Sequence, residues 1–207
     1  MKKQPQITEL TRKRLKDAFW SLYTELPIEK ISVREIAGRA GYNRGTFYEY
    51  FDDVYDLLDQ IEEEIIGALS PLVDQPTVID AESLSHRMEG IVSTVRGYET
   101  YAATLLGENG DPAFAHRVKE LLAPLVEQTL LAGNPTTGRE RELLREFHLS
   151  GILAIIGSWL SNPGTMTIEG FTLFFMQAIV WPSSQHAPGS RSDVGRETRG
   201  VSRQATA

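Results

Sequence analysis

The chain has 207 residues, of which 41% are hydrophobic and 24% charged, a composition typical of a soluble globular protein. It has no cysteine, which excludes disulfides, thiolate metal sites and cysteine nucleophiles. The longest apolar run covers 12 residues, 149–160, whereas a membrane span needs roughly 20. No apolar segment follows the first lysines, so we expect a soluble, cytoplasmic protein that has no membrane partner.

The net charge of −7 is unevenly distributed along the chain. Residues 1–50 contain ten Lys or Arg and six Asp or Glu, which gives this segment a charge of +4 and the remainder −11. A basic head on an acidic body suggests that only the head meets a polyanion. An excess of four charges is also compatible with chance, so the positions of these residues matter more than their number.

Helical periodicity dominates the first third of the chain, and each helix has a recognisable start or stop signal. Ser32 and Glu35 form a capping box, in which each side chain caps the backbone N–H of the other residue. Asn43 and Asp53 are residue types that cap helix N-termini, and Pro27 ends the first helix. The predicted helices span about residues 8–25, 32–39, 43–50 and 53–70.

The rest of the chain continues as helices separated by Gly, Asn and Pro. We expect Pro71 and Pro76 to end the fourth helix and begin a linker. Five further helices are predicted over about residues 81–96, 99–106, 112–131, 139–160 and 167–181. No alternating pattern typical of strands competes with them, and the polar residues 183–207 indicate a disordered tail. The predicted fold class is therefore all-α.

Residues 31–51, ISVREIAGRAGYNRGTFYEYF, have the pattern of a helix-turn-helix, whose second helix lies in the DNA major groove. Gly41 suits the tight turn, and Phe47 can fill the space between the helices. Arginine pairs bidentately with guanine, threonine suits thymine or phosphate, and tyrosine hydroxyls suit phosphate. The alternative is an ordinary polar helix face. The predicted DNA-binding residues are Thr11, Arg12, Lys13, Arg34, Asn43, Arg44, Gly45, Thr46, Tyr48 and Tyr50.

This segment resembles the DNA-binding domain of the tetracycline-repressor (TetR) family of bacterial regulators. The matching residues are Ile31-Ser-Val-x-Glu-Ile-Ala37, Ala40-Gly41-Tyr-x-Arg-Gly-Thr46-Phe-Tyr48, x-Tyr-Phe51 and x-x-x-x-Asp-Leu-Leu58, within about residues 8–66. The resemblance implies nine helices, three of them in the DNA-binding domain. We accordingly expect a helix-turn-helix domain over 1–52, a helical ligand-binding and dimerisation domain over 53–182, and the tail over 183–207.

One position departs from the family pattern. Members usually have a lysine at the start of the linking helix, where it meets phosphate, and here Val54 takes that place. Seven acids follow Phe51 with no basic residue before Ile66, which predicts weaker or more salt-sensitive DNA binding unless Lys2 and Lys3 compensate. The departure supports an alternative function, a small-molecule binding or sequestering protein with a vestigial helix-turn-helix.

The second half of the chain indicates a partner copy and an effector. The last two long helices are apolar on more than one face, so one side can pack on the core and the other on a second copy. The predicted dimerisation residues are Ile152, Ile155, Ile156, Trp159, Phe171, Phe174 and Phe175. The candidate walls of a cavity for an unknown small molecule, each also compatible with a plain core role, are Met88, Val92, Tyr98, Tyr101, Phe114, Phe147 and His148.

Catalytic, cofactor and metal sites are not predicted. The four histidines are scattered, and no nucleophile elbow or phosphate-binding glycine loop occurs. The acid run after Phe51 lacks the glycine and ligand spacing of a calcium loop. The sequence therefore predicts a DNA-binding regulator, most simply a ligand-responsive repressor that binds a palindromic operator as a homodimer.

Overall fold

The computed structural model describes residues 5–74, 81–107 and 110–180; the predicted tail, Lys2 and Lys3 lie outside them. These ranges contain nine α-helices and no strand, which confirms the all-α prediction. The helices are α1 Pro5–Tyr23, α2 Val33–Arg39, α3 Arg44–Tyr48, α4 Val54–Val73, α5 Ala81–Gly97, α6 Glu99–Leu105, α7 Pro112–Thr129, α8 Gly138–Ser161 and α9 Ile168–Phe175. A 3-10 helix, Ile28–Lys30, follows α1, and a π-helical turn, Met176–Val180, follows α9.

Helices α1, α2 and α3 form the N-terminal unit, and local signals determine the path between them. The predicted capping box is present: the Ser32 hydroxyl accepts from the Glu35 N–H over 3.3 Å, and the Glu35 carboxylate accepts from the Ser32 N–H over 3.1 Å. Gly41 has φ of 80°, a left-handed conformation that residues with a Cβ rarely adopt. The fully buried Ile36 and Phe47 then hold α2 and α3 against the unit's core.

Helix α4 links this unit to the rest of the chain. The Asp53 side chain caps it by accepting from the N–H groups of Tyr55 and Asp56 over 2.8 and 2.9 Å. The expectation that Pro71 ends this helix is wrong, because α4 continues to Val73. Proline in the last turn removes one backbone hydrogen bond near a helix end, where the helix has few bonds left to lose.

The body is built around α4, α7 and α8; α5 packs on α4, α6 packs on α8, and α9 packs on α5. Helix α7 begins as predicted, with Asp111 accepting from the Ala113 N–H over 2.7 Å and Pro112 in the first turn. Trp159 of α8 stacks on Phe171 of α9 with ring centroids 4.4 Å apart. One continuous set of buried apolar side chains joins the N-terminal unit to the body.

Helix α8 combines length with apolar composition. Within the described residues, α8 is the one helix that is long and apolar enough to cross a membrane. Of its most apolar 18-residue stretch, 28% is buried inside the chain. Core and interface helices of soluble proteins meet the same criteria. Because so little of this stretch is buried, other helices of the same chain leave much of the apolar surface of α8 uncovered.

Candidate nucleic-acid interface

Helix α3 presents a short row of side chains to solvent. Its N-cap Asn43 accepts from the Thr46 N–H over 2.9 Å, and Phe47, fully buried, anchors the opposite face. Arg44 and Gly45 are exposed, Tyr48 is 57% exposed, and Thr46 is half-buried. A rigid helix of this kind can bring a guanidinium and a phenol to base edges and phosphates.

Asn43 is placed differently from the other predicted contact residues of α3. Its side-chain oxygen also lies 3.4 Å from the Thr46 hydroxyl, so capping occupies it.

Arg34 is exposed at the start of α2. Beside it, the hydrogen bonds from Ser32 lower the pKa of Glu35, which keeps that capping carboxylate charged at neutral pH.

The predicted contact residues of α1 do not share one environment. Thr11 is buried and its hydroxyl donates to the Ile7 carbonyl over 2.9 Å, which corrects the expectation that this side chain is available to phosphate. The Arg12 guanidinium lies over the Phe51 ring, 5.8 Å from its centroid. Lys13 is exposed and pairs with Asp17 over 2.7 Å.

Two residues next to this face were missed by the sequence reasoning. The Tyr42 hydroxyl donates to Thr11 over 3.5 Å, and the hydrogen bonds with Thr11 and with Arg14 lower the pKa of Tyr42. Arg14 is exposed. Tyr42 lies in the turn between α2 and α3, and the bend at Gly41 brings its hydroxyl to α1. The predicted Tyr50 is half-buried.

The start of α4 contributes no cation to this face. Val54 is buried at 7% exposure. The first acids after it are engaged locally, because Asp56 accepts from the Asp52 N–H over 2.8 Å and from the Gln60 amide over 3.1 Å.

Two later acids of α4 are bound to other helices. The Glu62 carboxylate lies 3.3 Å from Arg117 of α7, and Glu64 pairs with the buried Lys16 of α1. The acid run therefore holds helices together as well as adding negative charge. Among the described residues, no group of three His, Asp or Glu side chains is arranged so that it could hold a metal ion.

The candidate effector residues divide into two groups. Met88, Val92 and Phe114 are buried in the body, and Met88 lines an apolar cavity of about 40 Å³ between α5, α7, α8 and α9. That volume holds little more than one water molecule. Tyr98 is half-buried, and Tyr101 packs on Trp20 of α1 with centroids 4.5 Å apart.

Phe147 and His148 do not line that cavity. Phe147 is 71% exposed, which corrects its prediction as a cavity wall. His148 is half-buried with its ring 5.5 Å from that of Phe147, and burial lowers its pKa. These two residues lie on the outer part of α8 because the inner positions, such as Leu149 and Ile152, pack on the core.

The predicted dimerisation residues also divide. Five of them are buried within the single chain and belong to its own core, which corrects their assignment to an outer surface: Ile152, Ile156, Trp159, Phe171 and Phe175. Ile155 is half-buried and Phe174 is 44% exposed. Three further apolar residues of α8 and α9, Leu143, Phe147 and Leu173, are each more than half exposed. We call this set, Leu143, Phe147, Ile155, Leu173 and Phe174, the α8–α9 apolar surface.

Comparison with known proteins identifies the N-terminal unit. Residues 17–61 match the family model of the bacterial regulatory proteins, tetR family. A curated relative from Bacillus subtilis (strain 168), the uncharacterized HTH-type transcriptional regulator YxbF, is 22% identical over 209 residues. The alignment covers 95% of this chain and 53% of the relative, so the chain spans about half the length of the curated relative it matches.

Solved structures share the fold. A TetR transcriptional regulator from Streptococcus agalactiae 2603V aligns with a TM-score of 0.59 and 23% identity over 84% of this chain and 96% of that chain. NalD, the secondary repressor of the MexAB-OprM multidrug efflux pump in Pseudomonas aeruginosa, aligns with a TM-score of 0.57 and 17% identity over 86% and 97%. The fatty acid degradation regulator FadR from Bacillus halodurans aligns with a TM-score of 0.54 and 20% identity over 92% and 99%. The helix-turn-helix unit therefore matches the tetR family of bacterial regulatory proteins in sequence over residues 17–61, and the described chain shares its fold with solved regulators.

Proposed function

We propose that the chain is a cytoplasmic, ligand-responsive repressor that binds a palindromic DNA operator as a homodimer. The observation that carries the proposal is the face of α3, where Arg44 and Tyr48 are exposed while Phe47 is fully buried behind them. An isolated helix of five residues is unstable, and this one is held by its cap and its buried ring. Such an arrangement suits insertion of α3 into the major groove.

Within this proposal the contact residues have different roles. Arg34, Arg44, Gly45, Thr46 and Tyr48 approach bases and the groove walls, and Tyr50, Arg12 and Lys13 approach phosphates. Thr11 and Asn43 position α1 and α3, because their side-chain oxygens are engaged within the chain. We divide the chain into the DNA-binding unit over 1–52 and the ligand-binding and dimerisation unit over 53–182, with α4 as the link.

The dimer is supported by the α8–α9 apolar surface. Apolar side chains as exposed as Phe147, at 71%, gain free energy when a second copy covers them. Gly151 has open space where a Cβ would stand, which permits a close approach of a partner helix. A two-fold pair would place two copies of α3 about one DNA turn, roughly 34 Å, apart.

Repression by the dimer would be relieved by a shift in population. The dimer has one state whose α3 spacing fits DNA and another whose spacing does not. A ligand that binds the second state more tightly shifts the population toward it, and DNA affinity falls by at most the ratio of the ligand's affinities for the two states. Helix α6 is attached to α1 through Trp20, so a movement in the body reaches the DNA-binding unit.

A mobility-shift assay with the DNA that flanks the chain's own gene tests this function. We expect a discrete complex of dimeric protein whose affinity falls steeply as salt is raised. Its absence at low salt from folded, dimeric protein would contradict the proposal. That outcome would favour the sequestering protein, which the buried Val54 at the start of α4 supports.

A further inference from the structure

A large open cleft lies where the DNA-binding unit meets the body. A cleft of about 740 Å³ is bounded by the end of α1 with the 3-10 helix, by the first turns of α4, and by described residues of α6 and α7 and next to them: Ala103, Thr104, Gly107, Gly110, Asp111 and Pro112. Its volume is in the range of sites that hold a small organic molecule. The cavity inside the body, at about 40 Å³, is far smaller.

The charge of the cleft has one sign. Among the described residues that line it, Glu25, Glu29 and Asp111 are acidic and none is Lys, Arg or His. Tyr23 and Tyr55 add aromatic rings to the wall. Carboxylates together with ring faces are the groups that attract an organic cation.

A buried carboxyl group stands directly behind this wall. Glu62 is 1% exposed, and its Oε1 has no hydrogen-bond partner although Oε2 lies 3.3 Å from Arg117. Glu62 is one turn after Leu58, a wall residue of the same helix, and the charge of Asp111, another wall residue, acts on its carboxyl group. An unpartnered buried oxygen at this point costs free energy unless a proton or a cation satisfies it.

Burial and the charges around Glu62 favour the protonated form of its carboxyl group when no ligand is bound. Burial, then the Asp111 charge, raise the pKa of Glu62 to about 7, against the opposing effect of Arg117, while Asp59 on its own helix adds to the rise. From α1, Tyr23 faces the same group, and its own pKa is raised by burial, Asp111, Glu62 and Glu29. A large share of the Glu62 carboxyl groups therefore hold a proton near neutral pH.

We propose that this cleft binds a small organic amine, whose ammonium group meets Asp111 next to the buried, unpartnered Oε1 of Glu62. The tyrosine rings of Tyr23 and Tyr55 cover the hydrocarbon part of the ligand. The inference deepens the proposed function, on which it rests, by assigning the class of effector. A ligand here contacts α1, α4 and the end of α6 at once, so its binding can change the position of the DNA-binding unit relative to the body.

Calorimetric titration of the full chain without DNA tests the proposal, with 2-phenylethylamine as the probe and its neutral isostere 2-phenylethanol as the control compound. We expect saturable binding of the amine with a dissociation constant of about 1 mM or below, and binding of the alcohol at least about tenfold weaker. Titration at pH 7 in buffers of different ionisation enthalpy should show net proton release. The amine should bind more tightly as the pH rises toward 8.

Matched variants locate the site. D111N keeps a residue that caps α7 and should weaken amine binding about tenfold, while E62Q should abolish the proton release. E120Q, on the exposed side of α7 where Glu120 pairs with His116, should change neither. The proposal is overturned by no saturable binding of the amine, by equal binding of amine and alcohol, or by unchanged affinity in D111N. Each outcome is independent of DNA, so it is distinguishable from a failure of operator binding.

Discussion

The indole Nε1 of Trp20 donates a hydrogen bond to the backbone carbonyl of Thr100 over 3.1 Å. Trp20 lies on α1 of the DNA-binding unit, and Thr100 lies on α6 of the body. The Trp20 ring also packs on Tyr101, and Lys16, one turn earlier on α1, pairs with Glu64 of α4. The first helix of the DNA-binding unit is therefore attached to both the link helix and α6.

Replacing Trp20 with Phe tests this attachment, because the ring packing is largely kept while the hydrogen bond is lost. We expect a loss of unfolding free energy of about 1 kcal/mol in urea and DNA affinity about threefold to tenfold weaker, since a loosened unit must be ordered on binding. Trp159→Phe is the matched control, because its Nε1 donates to the Met166 carbonyl within the body. Equal DNA affinity in the two variants would contradict the attachment.

Arg44→Ala and Thr46→Ala test the DNA-binding face. Each should weaken binding to the selected operator by about 1–3 kcal/mol, measured by fluorescence anisotropy, and leave the melting temperature within about 1 °C of the parent. Arg139→Ala removes another exposed arginine, on α8 and paired with Glu142, and serves as the charge control. A large fall in melting temperature for the α3 variants would mean that these side chains are structural.

Phe147→Ser combined with Phe174→Ser tests the α8–α9 apolar surface. Both side chains are exposed in the single chain, so the fold should survive, while the dimer should dissociate at micromolar concentrations because about 2 kcal/mol of burial is lost per ring. Sedimentation equilibrium measures the change, and Ile7→Ser, which removes an exposed apolar side chain from α1, is the control. Unchanged dimerisation in the double variant would place the interface elsewhere.

Glu62 predicts an unusual pH dependence of stability. Its pKa rises from 4.5 to about 7 on folding, so the folded state binds this proton more tightly than the unfolded state does. The stabilisation is fully present below pH 4.5 and is lost as the pH rises through about 7. Denaturation of the parent and E62Q across this range should diverge by up to about 3 kcal/mol. Parallel curves would show that Glu62 titrates normally.

The helix-turn-helix could be predicted in detail because its signals are local. The Ser32–Glu35 capping box, the Asn43 and Asp53 caps and the left-handed Gly41 all act within a few residues of their own position. These signals also set the helix starts. Pro71 does not end α4, because a proline in the last turn of a helix removes few backbone hydrogen bonds and so destabilises the helix little.

The outer surfaces of the body could not be predicted in the same way. Phe147 and Phe171 are the same residue type on apolar helices, yet one is 71% and the other 2% exposed. Which face of such a helix is covered depends on packing between helices distant in sequence. Glu62 and Arg117 are 55 residues apart, and nothing local indicates that their charges meet.

Selection of duplexes from a random library by the purified full chain tests the central claim most directly. The account predicts enrichment of an inverted repeat with half-site centres about 10 base pairs apart, and a changed preference at one position of each half-site for Arg44→Ala. Enrichment of no sequence by folded protein, or of the same sequence by the Arg44→Ala variant, would contradict it.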